Sequence, residues 1–286
     1  MPQEKIAILV DSCSDVPADV LAAADMALMP MNVIFRDRAY EDRVTITPTE
    51  FYRRQAEEPA TTSSPTGKHI VEALERIQAS GYTHVIAVCI SAALSGTYQE
   101  TQLLAADTDL TVHVVNTKSV GIGSGFAAIY AAYLRSTGHS FQEIVTEVER
   151  VTAQTKVFFY VPSLKYLQAG GRIGKVAGMA GTLLNVKPII SCDEEGIYYP
   201  IAKVRGEKRT ITKLLALVDE AIGDAKRVNV AVCDGVNPEL RATVLAKLKA
   251  AHPDVLQWYA GDVSPALGVH TGPGLIGVGV QVLDER

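Results

Sequence analysis

The sequence predicts an α/β protein of two domains: a three-layer α/β/α domain with a mainly parallel sheet, then an α/β domain with a mixed sheet. Three observations lead there. The 286 residues exceed one average domain and fall short of three, so two domains of roughly 100 to 170 residues each are the natural division. Through the first half, short unbroken apolar runs alternate with helix-patterned stretches. Around Phe158 to Ser163 the pattern changes character. We expect domains at residues 1–160 and 161–286.

Ile6 to Val10 is continuously apolar and stops at Asp11 and Ser12, as a parallel strand covered on both faces does. Val16 to Ala24 reads as the helix that follows. Thr47, Pro48 and Glu50 suit an N-cap, a first-turn proline and a capping-box acid for a helix to about Glu57. Ile70, Val71, Leu74 and Ile77 carry helical spacing, with Gly81 as the stop. Val85 to Ile90 and Val112 to Val115 are strand-like, and each leads through a polar turn into a helix. This βα repeat implies a doubly wound parallel sheet. In the second half, Lys187 to Val204 holds two apolar runs split by Asp193, Glu194, Glu195 and Gly196, an antiparallel hairpin. A helix at about Lys208 to Ile222, a strand at Val228 to Cys233, a helix opened by Asn237 and Pro238, and two last strands complete the mixed sheet.

Apolar residues make up 48% and charged residues 21% of the chain, an ordinary globular composition. Net charge is −5 and the basic residues are scattered, which argues against nucleic acid as a partner, because phosphate-backbone binding needs a concentrated positive surface. Cys13, Cys89, Cys192 and Cys233 form no CxxC pair and read as free, mostly buried thiols. The start offers neither a signal-peptide core nor a transit helix, and no apolar run reaches the roughly 18 to 20 residues of a membrane span. The chain reads as cytoplasmic, without a transmembrane segment.

Gly121, Gly123 and Gly125 follow a strand and open a helix, but as GxGxG rather than GxGxxG, and no acid ends a second strand about 20 positions on. Close helix packing accounts for them. There is no GxxxxGK[ST] phosphate cradle, Ser124 lacks a nucleophile-elbow context, and the six histidines show no HxxxH or HExxH spacing for a metal. Three polar segments fall where a βα architecture places loops: Thr61 to Pro65, Ser91 to Thr97, and Gly268 to Gly274. Ligands gather beyond the C-terminal strand ends of such sheets, although each segment taken singly also reads as a cap or turn.

The opening VDSCSDVP, then TTSSPT, SAALSGTYQ, LKYLQAGGRIGK, KPII and the closing GVHTGPG resemble the ordered motif series of the DegV family over almost the whole chain. The resemblance implies a fatty-acid-binding protein rather than an enzyme, one that presents its ligand to a separate ATP-dependent fatty acid kinase subunit. By position, Thr62, Ser95 and His270 resemble the groups that hold the carboxylate. Arg172, with Lys203 and Arg205, resembles positions facing the kinase or the transferring phosphoryl group. Cys13 stands where many relatives have Ser or Thr, and Ala92 where a second Ser is frequent; these departures bear on secondary polar contacts.

A long-chain, palmitate-like acid is the expected ligand, with no cofactor. About 14 methylenes at roughly 0.8 kcal/mol each give a gross driving force near 11 kcal/mol, reduced by several kcal/mol of association cost. Met29, Met31, Ile34, Leu164, Leu167, Leu183 and Leu184 could line the tunnel, and most equally suit the core. Two other readings stay open: a small-molecule transferase or hydrolase using Ser95 or His270, and an acyl-responsive regulator.

Overall fold

The computed structural model describes residues 4–179 and 186–284. The first domain begins with β1 (Ile6–Asp11), buried along its whole length, and α1 (Ala18–Ala23) leads to β2 (Met26–Met29) beside it. A small antiparallel sheet follows, in which β3 (Asn32–Ile34) lies between β4 (Ala39–Glu41) and, after α2 (Pro48–Gln55), β5 (Thr61–Ser63). Then come α3 (Gly67–Ala79), β6 (His84–Cys89), α4 (Thr97–Ala105) and β7 (Thr111–Asn116). They complete a four-stranded parallel sheet in the order β2-β1-β6-β7.

The unbroken apolar run of β1 has a direct cause. Ala7 and Leu9 face the layer of Ile70, Leu74 and Ile77 on α3, whereas Ile6, Ile8 and Val10 face α5 (Ile122–Ser136) on the other side. Successive strand residues point to opposite faces, and both faces here are roofed. A Cβ on Gly125 would overlap the Ser14 carbonyl, and one on Gly123 would lie 2.8 Å from Val157 Cβ. The glycine cluster thus serves close packing.

Beyond α6 (Phe141–Gln154), β8 (Lys156–Tyr160) opens the second sheet. The chain continues through α7 (Lys165–Ala169), β9 (Val186–Cys192), β10 (Tyr198–Arg205) and α8 (Glu207–Ile222). It ends with β11 (Val228–Asp234), α9 (Pro238–Ala251), β12 (Gln257–Asp262), α10 (Pro265–Thr271) and β13 (Ile276–Val282). The six strands run β10-β9-β8-β13-β11-β12, and only the β11–β12 pair is parallel. Helices α8 and α9 cover one face; α5 covers the other and so lies between the two large sheets. Residue 160, the expected domain limit, is the last residue of β8, which pairs with β13 and β9 in the second sheet.

Two segments differ from the sequence reading. Thr61 to Ser63 is strand β5 rather than loop, since these residues hydrogen-bond along β3 and Thr favours a pleated edge. Gly268 to Thr271 is the end of α10 rather than loop, because the helix starts upstream, where Ser264 accepts from Leu267 N and Pro265 takes the first turn. The small sheet went unforeseen, its three-residue strands being too short to show a period. All four cysteines are free, and among the described residues no helix is long and apolar enough to cross a membrane.

Candidate functional site

Four of the six candidate polar residues meet in one cleft at the junction of the two domains: Thr62, Ser95, Arg172 and His270. Each comes from a different segment. Thr62 sits mid-strand on β5, Ser95 in the loop between β6 and α4, His270 in the last turn of α10, and Arg172 just beyond α7. His270 Nε2 lies 2.8 Å from Thr62 Oγ1, a bond between the two domains. Ser95 Oγ lies 2.8 Å from Thr97 Oγ1, so hydroxyl and imidazole have different partners. Arg172 is exposed at the rim, donating from NH1 to Gly170 O at 2.8 Å and from Nε to Leu94 O at 3.4 Å. Burial, reinforced by the Arg172 charge, holds His270 down at about 4, so its ring is neutral at pH 7.

The position of His270 depends on how α10 is held. Its N-terminal N–H groups rest on two buried aspartates of the first domain: Ser264 N donates to Asp15 Oδ1 at 2.9 Å and Ala266 N to Asp42 Oδ1 at 3.2 Å. A third, Asp11, accepts from Ile90 N at 2.6 Å and from Ser14 Oγ at 3.2 Å. Burial pushes Asp11 and Asp15 up to about 7 and Asp42 to about 6, against these hydrogen bonds. The glycines of GVHTGPG explain the rest of the fit. A Cβ on Gly268 would lie 2.6 Å from the Phe51 ring of α2, and one on Gly272, whose φ is +73°, would overlap the Tyr166 ring of α7. Helix α10 is wedged where no larger residue fits.

A second, apolar cavity adjoins the first and shares Val120, Tyr198 and Leu267 with it. Its unshared lining includes Phe159, Cys233 and Gly277 from the second sheet, and Leu275 just before β13. These residues, with Val120, Tyr198 and Leu267, were missed by sequence reasoning; the strand residues among them carry only the alternation that equally marks ordinary core. Of the expected tunnel residues, Met31 lines the polar cleft. Met29 instead packs in the α3 layer, Leu167 and Leu164 belong to the central core, and Ile34 is exposed. Leu183 and Leu184 lie outside the described residues. Lys203 and Arg205 are exposed on edge strand β10 and line neither cavity. A wider open groove between β7, α6 and the β9–β10 turn holds none of the candidate residues. The adjoining pair offers an apolar ligand apolar walls against which to shed water. Among the described residues no group of His, Cys, Asp and Glu is arranged to hold a metal.

The sequence pattern of the DegV family, described as uncharacterised protein, matches residues 5–282. A DegV domain-containing protein of Clostridium perfringens is 37% identical, covering 97% of this chain and 99% of the relative. Another from Streptomyces coelicolor is 33% identical over 96% and 98%. Among solved structures, a DegV family protein from Thermus thermophilus, studied for its fatty acid binding, superposes with a TM-score of 0.91 at 29% identity over 97% of this chain and 99% of its own. The fatty acid binding protein DegV of Bacillus subtilis gives 0.90 at 27% identity over 98% and 100%.

Proposed function

This chain belongs to the DegV family, and from that premise we propose that it binds one long-chain, palmitate-like fatty acid at its domain junction. The carboxylate sits among Thr62, Ser95 and His270. In the Nε2-protonated tautomer, neutral His270 donates to Thr62 Oγ1, which frees the Thr62 hydroxyl hydrogen for a carboxylate oxygen. The tail runs past Val120, Tyr198 and Leu267 into the apolar cavity. One observation carries this reading: a hydroxyl-lined cleft and an apolar cavity that share part of their walls, the form an amphiphile with one polar end requires.

The protein acts as a carrier in the cytoplasm, without a cofactor, and a separate ATP-dependent fatty acid kinase subunit phosphorylates the carboxylate. Arg172, exposed at the rim of the polar cleft, faces that partner or the transferring phosphoryl group, with Lys203 and Arg205 extending the positive surface along β10. Native mass spectrometry of freshly purified protein tests the carrier role, with one acyl chain per protein expected. Apoprotein alone, with no uptake of acids of about fourteen to eighteen carbons in titration, rejects it. The kinase step is tested with a cognate kinase and ATP: Arg172→Ala should lower acyl-phosphate formation and leave acid binding nearly unchanged. Acyl phosphate made by this chain and ATP alone refutes the division of labour.

A further inference from the structure

Strand β13 reads IGVGVQV, and its two faces differ sharply. Ile276, Val278, Val280 and Val282 pack under α8 and α9, whereas Gly277, Gly279 and Gln281 point toward the first domain. Gln281 is occupied there, donating from Nε2 to the Phe126 carbonyl at 3.1 Å. Gly279 is also required, because a Cβ would stand 2.8 Å from Phe126 Cε2 and 3.0 Å from Ile122 Cγ2. Gly277 has no such reason. A Cβ built on it meets nothing nearer than Leu275 Cδ2 at 3.6 Å, Phe159 Cβ at 3.7 Å and the Cys233 carbonyl at 3.9 Å, all ordinary contacts, and its φ is not in the left-handed region. Glycine weakens a strand interior by its flexibility and by packing nothing, so neither packing nor backbone shape explains this one.

The cavity does. Gly277 pairs with Phe159 on β8 and with Cys233 on β11, and all three line the apolar cavity. Phe159, Gly277 and Cys233 therefore lie abreast across three strands, two side chains flanking a missing one. None of the three lines the polar cleft, so this strip belongs to the apolar cavity alone. We propose that Gly277 sets the depth of the acyl cavity and thereby the longest fatty acid the protein accepts. The proposal rests on the carrier reading above and names the residue that limits its ligand.

The test compares wild-type protein with Gly277→Val, identifying acids extracted from each and titrating each with saturated acids of graded length. Val suits a strand, and the branched side chain occupies the space of the last methylenes. The variant should carry shorter acids than wild type. Its affinity for an acid of about eighteen carbons should fall at least about tenfold, while that for about fourteen carbons stays within about threefold. An unchanged length profile in a folded variant overturns the assignment to Gly277 and leaves the carrier reading standing. Wild-type protein that neither carries nor takes up any acid overturns both. Should Gly277→Val fail to fold, Gly277→Ala, whose methyl meets only ordinary contacts, must shift the profile the same way by a smaller step; no shift overturns the proposal.

Discussion

The two ends of the junction cavity are built on opposite plans. At the polar end, side chains from four separate segments converge, and a hydrogen bond between the domains ties two of them together. The helix that carries His270 is itself anchored by backbone bonds to two buried carboxylates. At the apolar end one wall is packed strand, where Phe159, Gly277 and Cys233 stand abreast. The difference teaches that the ends fail differently. A polar end fails when one group loses its partner, because the partner left behind is buried and unsatisfied. An apolar end fails only when volume is added or removed.

The contrast is tested most severely at Gly272, where a side chain faces both a left-handed backbone and the Tyr166 ring. Gly272→Val should destabilise the protein by about 3 kcal/mol or more, read by denaturant unfolding. A loss below about 0.5 kcal/mol would show that α10 is not wedged as described. Next come His270→Ala and Ser95→Ala, which should each weaken fatty acid binding by roughly 1 to 3 kcal/mol while the fold survives. Wild-type affinity in calorimetric titration, together with an unmoved carboxylate in a crystal structure, would dissolve the proposed clamp.

The buried aspartates and His270 respond to pH in opposite directions. Asp11, Asp15 and Asp42 hold their protons more tightly in the folded protein than the ordinary value of 3.8. Their stabilisation is therefore complete below that value and is lost as pH rises through about 6 to 7. His270 works the other way: depressed to about 4 from 6.5, it contributes above 6.5 and loses that contribution as pH falls toward 4. Three carboxyls outweigh one imidazole, so the unfolding free energy should drop by about 4 to 5 kcal/mol between pH 5 and pH 8. Asp15→Asn should flatten that drop, and an unaltered slope would remove Asp15 from the account. The smallest effect belongs to Lys203→Ala and Arg205→Ala, which touch neither cavity and should change stability and acid binding by less than about 0.5 kcal/mol.

How much of this was legible in the sequence divides along the same line. The strands that make each sheet announce themselves by unbroken apolar runs, and Thr47, Asn237 and Pro238 cap the helices where their chemistry says. Thr62, Ser95 and His270 stand in short motifs of unusual residue types, so they could be picked out singly. Their meeting could not, since it depends on α10 crossing to α2 and β5 from more than 200 residues away. The apolar end left almost no trace. Phe159, Cys233 and Gly277 are ordinary strand residues whose common property is their alignment across β8, β13 and β11. Tunnel candidates chosen for hydrophobicity alone, such as Met29 and Leu167, proved to be core. Of the buried aspartates Asp11 was read as the end of a strand, and Asp15 and Asp42 were not singled out, because nothing local marks a carboxyl as the cap of a helix far along the chain.

Thr62 and Ser95 belong to one domain, His270 and Arg172 to the other, and the cleft they line exists only while the two stay closed. A ligand that touches both sides then works as a strut. Every increment of binding energy is also energy holding the domains together, so by thermodynamic linkage the heat resistance of the protein should track the lipid supplied to it. Under the proposed carrier role, loaded and empty chains should differ in mechanical cohesion as well as in cargo, and removing the acid should loosen the protein that held it.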